Sequence, residues 1–139
     1  MKKYLLDTHI LIWHLEGSKK ESRFIYDEIE SYSGNLFVSV ESLREIVILQ
    51  KLNKITLSWS IDKVIERLNH YNIFILTIDP KHVLALEKLS HPIINGKTHD
   101  DPFDRMLIAQ SIAEKLTIIS ADTKFPFYRD KGFHLLQNE

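Results

Sequence analysis

Short apolar runs alternate along the chain with longer segments in which apolar residues recur at helical spacing. The length and near-continuous apolarity of four runs predict buried strands, and the tail FHLL predicts a last short one; the four runs are KKYLLD, NLFVSV, NIFILTI and LTIISAD. Residues 90–100 are rich in turn formers and predict a loop. The segments between the strands predict helices over THILIWHLEG, from a cap at Ser18 to about Ser31, over ESLREIVILQKL with a stop at Asn53, over 59–71, from Asp79-Pro80 to about Leu89, and over DPFDRMLIAQSIAEKL.

This alternation of strands and helices determines the expected fold class. Near-continuous apolar strands separated by helices are typical of a parallel sheet that is covered on both faces. We therefore expect a three-layer α/β/α sandwich around a central parallel sheet of four to five strands. The chain has 139 residues and shows no internal repeat or linker-like segment, which predicts one domain over residues 1–139. In such sheets, ligands bind beyond the carboxyl ends of the strands.

Composition and charge narrow the function classes. Hydrophobic residues make up 44% of the chain, enough for a substantial core, and the absence of cysteine excludes disulfides, thiolate metal sites and a cysteine nucleophile. The N-terminal apolar stretch is interrupted by Asp7, His9 and His14, so it predicts neither a signal peptide nor a membrane span, and a cytoplasmic location is expected. A net charge of −1 is not typical of nucleic-acid-binding proteins, which are usually basic overall. A local cluster of basic residues would still allow phosphates to bind.

Two aspartates stand where predicted strands end. Asp7 directly follows the first apolar run, and Asp122 closes LTIISAD in the same way. Each has an ordinary alternative role, because aspartate is a common helix N-cap and a common residue of Asx-turns. Together, however, they place two carboxylates on the same edge of one sheet.

Three further acids lie in or beside predicted helices. Asp101 with Pro102 suits the N-cap and first position of a helix, so capping is its simplest role, whereas Asp100 is expected in solvated loop. Asp104 lies in the first turn on a partly inward face. Glu45 lies inside the helix that follows the second strand, and helical side chains lean back toward the N-terminus, that is, toward the strand end.

A convergence of these carboxylates points to a metal. A first-turn acid gains about 0.3–1 kcal/mol from the helix dipole, which explains one exposed acid but not several carboxylates brought toward the core. A divalent cation is the natural compensation, since Mg²⁺ prefers oxygen ligands. The chemistry that such a site supports is phosphodiester hydrolysis by metal-activated water. The chain contains no nucleophile elbow, P-loop or glycine-rich dinucleotide turn.

The seven histidines do not indicate a metal site of their own. No HExxH motif occurs, so a histidine-based zinc site is disfavoured. His99 neighbours the acids and is a candidate for substrate contact. The remaining alternatives are a stable α/β domain whose acids only cap helices, and a non-catalytic domain similar to response regulators, whose fold also gathers acids at strand ends.

Four segments carry a resemblance to a known family. In chain order they are YLLDTHILIW (4–13), VSVESLREIVILQKLNKI (38–55), HDDPFDRMLIAQ (99–110) and IISADTKF (118–125). The chain resembles the PIN-domain ribonucleases, most of all the VapC-type toxins of bacterial toxin–antitoxin pairs. The resemblance implies a PIN-like fold, Mg²⁺- or Mn²⁺-dependent endonucleolytic cleavage of RNA, dimerisation, and inhibition by a cognate antitoxin protein. A PIN nuclease that acts in RNA processing or repair without an antitoxin is the alternative within the family.

The resemblance also assigns roles to individual residues. The family's four acidic catalytic and metal-binding positions fall on Asp7, Glu45, Asp104 and Asp122, and Asp101 matches a further acid near the site, an additional candidate ligand. Supporting positions fall on Thr8, Ser120, Arg105 and His99. The sequence departs from the usual pattern of this branch at three places: Arg44 stands where tryptophan is usual, Leu49 where lysine is frequent and Asn53 where glycine is frequent. None of the three removes a candidate ligand.

Overall fold

Five strands and six helices build the body of the protein, a computed structural model in which residues 2–139 are described. The strands of the main sheet are short, and a 3₁₀ turn, Phe125–Phe127, follows the fourth of them. These strands are β1 (Tyr4–Leu6), β2 (Leu36–Ser39), β3 (Ile73–Leu76), β6 (Thr117–Ser120) and β7 (His134–Gln137). The helices are α1 (Thr8–Glu16), α2 (Arg23–Ser31), α3 (Val40–Lys51), α4 (Ile61–His70), α5 (Pro80–Lys88) and α6 (Pro102–Glu114).

The main sheet has the strand order β3-β2-β1-β6-β7, and every neighbouring pair is parallel. The predicted parallel sheet is thus confirmed, with five strands. The order runs outward from β1 in both directions, first through β2 and β3 and later through β6 and β7. The order therefore reverses between β1 and β6, and a crevice opens there at the carboxyl ends of the strands, where ligands bind in open α/β sheets. Response regulators have a different strand order, 2-1-3-4-5, which excludes that alternative fold.

Alternation along the strands gives the sheet two apolar faces. Tyr4 and Leu6 of β1 pack with residues of α1, α2, α3 and α4, whereas Leu5 packs on the other face with Leu107 and Ile108 of α6. All five side chains are 0–1% exposed. Successive residues of a strand point to opposite faces, so the continuous apolar run of β1 forms the middle of a three-layer α/β/α sandwich, as predicted.

Two local predictions were wrong. The second helix begins at Arg23 with Ser22 as its N-cap, whose hydroxyl accepts from the amide of Ile25 at 3.2 Å. Ser18 instead accepts from the Lys20 amide within the turn that follows the left-handed Gly17. The chain needs this turn to reverse direction before the next helix begins.

The predicted loop 90–100 contains a small antiparallel hairpin of β4 (Ile93–Ile94) and β5 (Lys97–Thr98). Its turn is Asn95-Gly96, and both residues have positive φ, 52° and 79°. An Asn-Gly pair is the preferred centre of a two-residue hairpin, and this signal was present in the sequence. Asn53 similarly has φ of 54° just after α3, a conformation that both asparagine and glycine tolerate, so this departure from the family pattern preserves the turn.

None of the helices in the described part of the chain is both long and apolar enough to cross a membrane.

Candidate active site

A pocket of about 290 Å³ lies at the carboxyl edge of the sheet, beside the reversal of strand order. It brings together all four acids that the family resemblance assigned to the metal, together with Asp101. Its lining residues are Asp7, His9, Trp13, Glu45, Asp101, Asp104, Ala121, Asp122 and Lys124. These residues come from four separate stretches of sequence, so only the fold makes them neighbours.

Asp7 serves as a helix cap and as a pocket residue at once. It is the N-cap of α1, and its Oδ1 accepts from the Thr8 amide at 2.7 Å. Its other oxygen, Oδ2, accepts from the Ser120 hydroxyl at 2.7 Å. Ser120 ends β6, which pairs directly with β1, so this bond joins the two strands that flank the crevice. The capping role expected for an acid at this position is therefore real, and it fixes the carboxylate at the edge of the sheet.

Asp122 is held by a tight local turn. Its Oδ1 accepts from the Lys124 amide at 2.8 Å, and its own amide donates to the Ser120 hydroxyl at 3.0 Å. The Ser120 hydroxyl thus accepts from the backbone amide of Asp122 and donates to the side chain of Asp7. One serine sets the separation between two of the four acids.

Two acids at the start of α6, Asp101 and Asp104, differ in their hydrogen bonds and their burial. The Asp101 side chain accepts from the amides of Phe103 (2.9 Å) and Asp104 (3.0 Å), which is the N-cap role predicted for it. Asp104 follows in the first turn with its side chain only 14% exposed. Asp100, by contrast, is exposed, as expected of loop.

Glu45 reaches the pocket from α3. The helix begins at the N-cap Ser39, at the end of β2, and Glu45 lies in its second turn with a half-buried side chain. Thr8, the first residue of α1, lies against the same helix, and its hydroxyl is 3.0 Å from that of Ser42. Packing of α1 on α3 therefore brings Glu45 toward Asp7, an arrangement that the spacing of Glu45 in the sequence does not reveal.

Arg44, the residue before Glu45, contacts side chains of both α3 and α6. Its guanidinium lies over the Phe103 ring, 4.7 Å from the centroid, and its Nε donates to Glu41 at 3.2 Å. Phe103 belongs to the first turn of α6, so Arg44 links α3 to α6 beside Glu45. A cation stacked on an aromatic ring therefore occupies the position where tryptophan is usual in this branch.

Burial, with repulsion between neighbouring carboxylates as a further cause, raises the pKa values of three acids in the pocket. Burial, followed by the nearby carboxylates of Asp7, Asp101, Asp122 and Glu45, raises the pKa of Asp104 from 3.8 to about 8. Burial raises the pKa of Asp7 to about 6, against the opposing hydrogen bonds from Ser120 and Thr8. Burial likewise raises the pKa of Glu45. Carboxylates that are desolvated and close to like charges favour a proton or a cation.

A series of hydrogen bonds links the Asp104 side chain to Arg105. His99 is buried, its Nε2 lies 3.2 Å from Asp104 Oδ2, and its Nδ1 lies 2.6 Å from the Tyr128 hydroxyl. The Arg105 guanidinium donates to that hydroxyl at 3.0 Å and to the carbonyl of Ser90 at 2.7 Å. Burial lowers the pKa of His99, so a neutral ring with its proton on Nε2 completes a consistent path from Arg105 through Tyr128 and His99 to Asp104.

This path contains two of the four supporting residues, His99 and Arg105. Both ring nitrogens of His99 contact other side chains of the protein, and its contact with substrate stays a prediction. Arg105 is 6% exposed, does not line the pocket and is linked to Asp104 through Tyr128 and His99. Tyr128 was missed in the sequence, because it lies 23 residues after Arg105 and 29 after His99 and carries no local motif.

The donor set fits a hard divalent cation. The pocket offers carboxylate oxygens, which are the ligands that Mg²⁺ and Mn²⁺ prefer. Within residues 2–139, no three histidine, aspartate or glutamate side chains are already drawn together as ligands of one ion. The acids line one pocket without yet meeting at one point. A cation bound among them would lower the raised pKa of Asp104, because it would stabilise the ionised carboxylate.

Four residues that line the pocket were not predicted from the sequence: His9, Trp13, Ala121 and Lys124. His9 and Trp13 are four residues apart on α1, a spacing that places both on one face of the helix. This spacing is the feature of the sequence from which a shared position of the two side chains was predictable. Lys124 follows Asp122 by two residues, but nothing in the sequence shows that its side chain borders the acids.

Comparisons with known proteins agree with the fold and the order of the motifs. The PIN-domain family model matches residues 4–131. Among solved structures, a DNA-bound VapBC complex from Salmonella typhimurium contains a chain with 16% sequence identity and a TM-score of 0.70, covering 99% of this chain and 98% of that one. A chain of VapBC2 from Rickettsia felis, bound to a fragment of promoter DNA, has 18% identity and a TM-score of 0.67 over 98% of both chains.

A third similar structure is a toxin–antitoxin complex from Klebsiella pneumoniae, with 18% identity, a TM-score of 0.60 and coverage of 99% of this chain and 98% of that one. None of the curated proteins gives a significant match. At these identities the solved structures establish the shared fold, and the family model, which spans most of the chain, establishes the family. The chain belongs to the PIN-domain family.

Proposed function

We propose that the protein is a metal-dependent endoribonuclease and the toxin component of a VapBC-type toxin–antitoxin pair. The observation that carries the proposal is the pocket in which Asp7, Glu45, Asp104 and Asp122 converge at the carboxyl edge of the sheet. These four residues are the proposed catalytic and metal-binding set, with Asp101 as helix cap and additional ligand candidate. When bound, Mg²⁺ or Mn²⁺ would activate water and neutralise charge on the phosphate under attack.

Hydrogen bonds within the protein hold two of the proposed metal ligands in place. Ser120 and the Thr8 amide hold both oxygens of Asp7 in place, and the path through His99 does the same for one oxygen of Asp104. Residues that orient metal ligands contribute substantially to metal affinity and activity. Tyr128 and Phe125 are buried in the core and do not line the pocket, so they offer no surface to a nucleic-acid substrate.

The proposed partners follow from the similar structures. The three solved complexes are VapBC or toxin–antitoxin assemblies, which supports a cognate antitoxin as partner here. A homodimer, a cytoplasmic location and one domain over residues 1–139 complete the proposal. A PIN nuclease of RNA processing without an antitoxin is the second candidate; a small neighbouring gene for a DNA-binding protein would favour the toxin.

Sequencing of RNA ends after brief induction tests the function directly. Wild type should generate new RNA ends and arrest growth, while Asp104→Asn, induced to the same level, should do neither and remain folded. In vitro, cleavage by purified wild type should require Mg²⁺ or Mn²⁺ and stop with EDTA. Full activity of Asp104→Asn with Mg²⁺, or unchanged cleavage in EDTA, would refute the assigned role of the acids.

A further inference from the structure

The pocket has a second wall that the acids do not form. It consists of His9, Trp13 and Lys124, and we call it the nucleotide wall. Among the described residues that line the pocket, Lys124 is the one lysine or arginine. The nucleotide wall is therefore aromatic and cationic, whereas the other polar residues that line the pocket are acids.

Two rings of the wall are arranged to present an aromatic surface. His9 is exposed and Trp13 is half-buried, and their ring centroids are 6.3 Å apart at an interplanar angle of 61°. Trp13 also packs against the core cluster beneath α1. Because the core holds one side of the indole, the ring is kept in place without closing the pocket. Rigid aromatic rings beside a charged groove are the usual means by which proteins hold unpaired bases.

Lys124 is fixed at its backbone and exposed at its side chain. Its amide donates to Asp122, and the next residue, Phe125, is completely buried in the core. The backbone of Lys124 is thus anchored at the pocket that the acids line, and its side chain is exposed. Carboxylates repel the phosphates of an approaching strand, and a neighbouring ammonium offsets that repulsion on the phosphate.

Building on the proposed function, we infer that His9, Trp13 and Lys124 hold one nucleotide of a single-stranded RNA, its base against the Trp13 ring and a phosphate on the Lys124 ammonium. The juxtaposition of ring, ammonium and acids in one pocket carries this inference. A base in a duplex is covered by its neighbours and its faces are unavailable to the ring. These three side chains are therefore the proposed means by which this site distinguishes an unpaired base from a base in a duplex.

Binding assays in the Asp104→Asn background test the wall without cleavage. The probe is a short fluorescein-labelled single-stranded RNA in Mg²⁺ buffer, and fluorescence anisotropy gives the Kd. Trp13→Leu should weaken binding by about 5- to 150-fold, since stacking on an aromatic ring is worth about 1–3 kcal/mol per base. Lys124→Gln should weaken binding and reduce the slope of log K against log salt by about 0.7, the loss of one phosphate contact.

The chain offers a matched control outside the pocket. Lys63 lies with its ammonium 5.1 Å from the centroid of the Trp59 ring, so the same residue types meet on another surface. Trp59→Leu and Lys63→Gln should leave the Kd and the salt slope unchanged. Trp13→Phe keeps a ring and should recover most of the affinity lost in Trp13→Leu, which separates stacking from a packing defect in α1; circular dichroism verifies the fold of each variant.

The possible results distinguish a failure of the nucleotide wall from a failure of the proposed function. If wild type cleaves RNA but Trp13→Leu and Lys124→Gln bind as tightly as their controls, the wall is refuted and the nuclease stands. If wild type fails to cleave while RNA binding still depends on Trp13, the nuclease is refuted and the wall stands. Absence of RNA binding, or equal affinity for a duplex of the same sequence, overturns the inference of a single-stranded nucleotide site.

Discussion

Replacement of Asp104 by asparagine should make the metal-free protein more stable while abolishing cleavage. The pKa of Asp104 rises from 3.8 to about 8 because its carboxylate is buried and surrounded by other acids. The native state therefore keeps a proton that the unfolded state releases. At pH 7 this difference destabilises the native state by on the order of 4 kcal/mol. Asparagine has a similar shape and an amide oxygen that can still accept from His99, but it has no charge.

The sign of the pH dependence follows from the direction of this shift. Below pH 4 Asp104 is protonated in both states and contributes no penalty. As the pH rises from about 4 to about 8, the unfolded state loses its proton first, so wild type loses stability relative to Asp104→Asn. Above pH 8 the carboxylate ionises in the native state as well, and the difference levels off.

Thermal and urea unfolding in EDTA measures this effect. At pH 7, Asp104→Asn should melt about 12 °C above wild type for a gain of about 4 kcal/mol, and the gap should narrow toward pH 4. Addition of Mg²⁺ should raise the melting temperature of wild type far more than that of the variant, because a cation that binds only the native state stabilises it. A gap that does not change with pH, or a less stable variant in EDTA, would refute the reasoning.

Three further predictions concern residues around the pocket and beyond it. Tyr128→Phe interrupts the hydrogen-bond path to Asp104, so metal affinity measured by titration calorimetry should fall by about 10- to 100-fold; affinity equal to wild type would show that the path does not position the acid. Asp101→Asn keeps an N-cap and should lower cleavage much less than Asp104→Asn, while Asp101→Ala should lose about 1 kcal/mol of stability in urea unfolding; complete inactivation by Asp101→Asn would make Asp101 a ligand. Burial lowers the pKa of His14, but the hydrogen bonds that its ring donates to the carboxylates of Glu21 and Glu30 outweigh burial and leave the pKa raised. The stability that these two ion pairs contribute is thus full below pH 6 and lost as the pH rises through the raised pKa, so the gap between wild type and His14→Gln should shrink from pH 6 to pH 8, and a gap that grows would contradict the assignment.

Much of the fold follows from the sequence because the strands are buried on both faces. A strand such as Tyr4–Leu6 needs apolar residues at every position, and no short exposed segment has that pattern. The predicted strands, their parallel arrangement and the three layers were therefore confirmed. The errors fell on turns: the N-cap moved from Ser18 to Ser22, and the Asn95-Gly96 hairpin was taken for loop. A turn or a helix cap is determined by one or two residues. Each of these segments contains several residues that suit the role, so the sequence does not show which of them is used.

The sequence by itself also placed Asp7 and Asp122 at one edge of the sheet, because both directly follow apolar runs that must be parallel strands. Only the tertiary structure decided which other side chains meet them. Glu45 faces the pocket because α1 packs on α3, and Lys124 lies beside the acids because Phe125 anchors its turn in the core. These neighbours are separated by tens of residues, and periodicity within a helix or strand carries no information about contacts between elements.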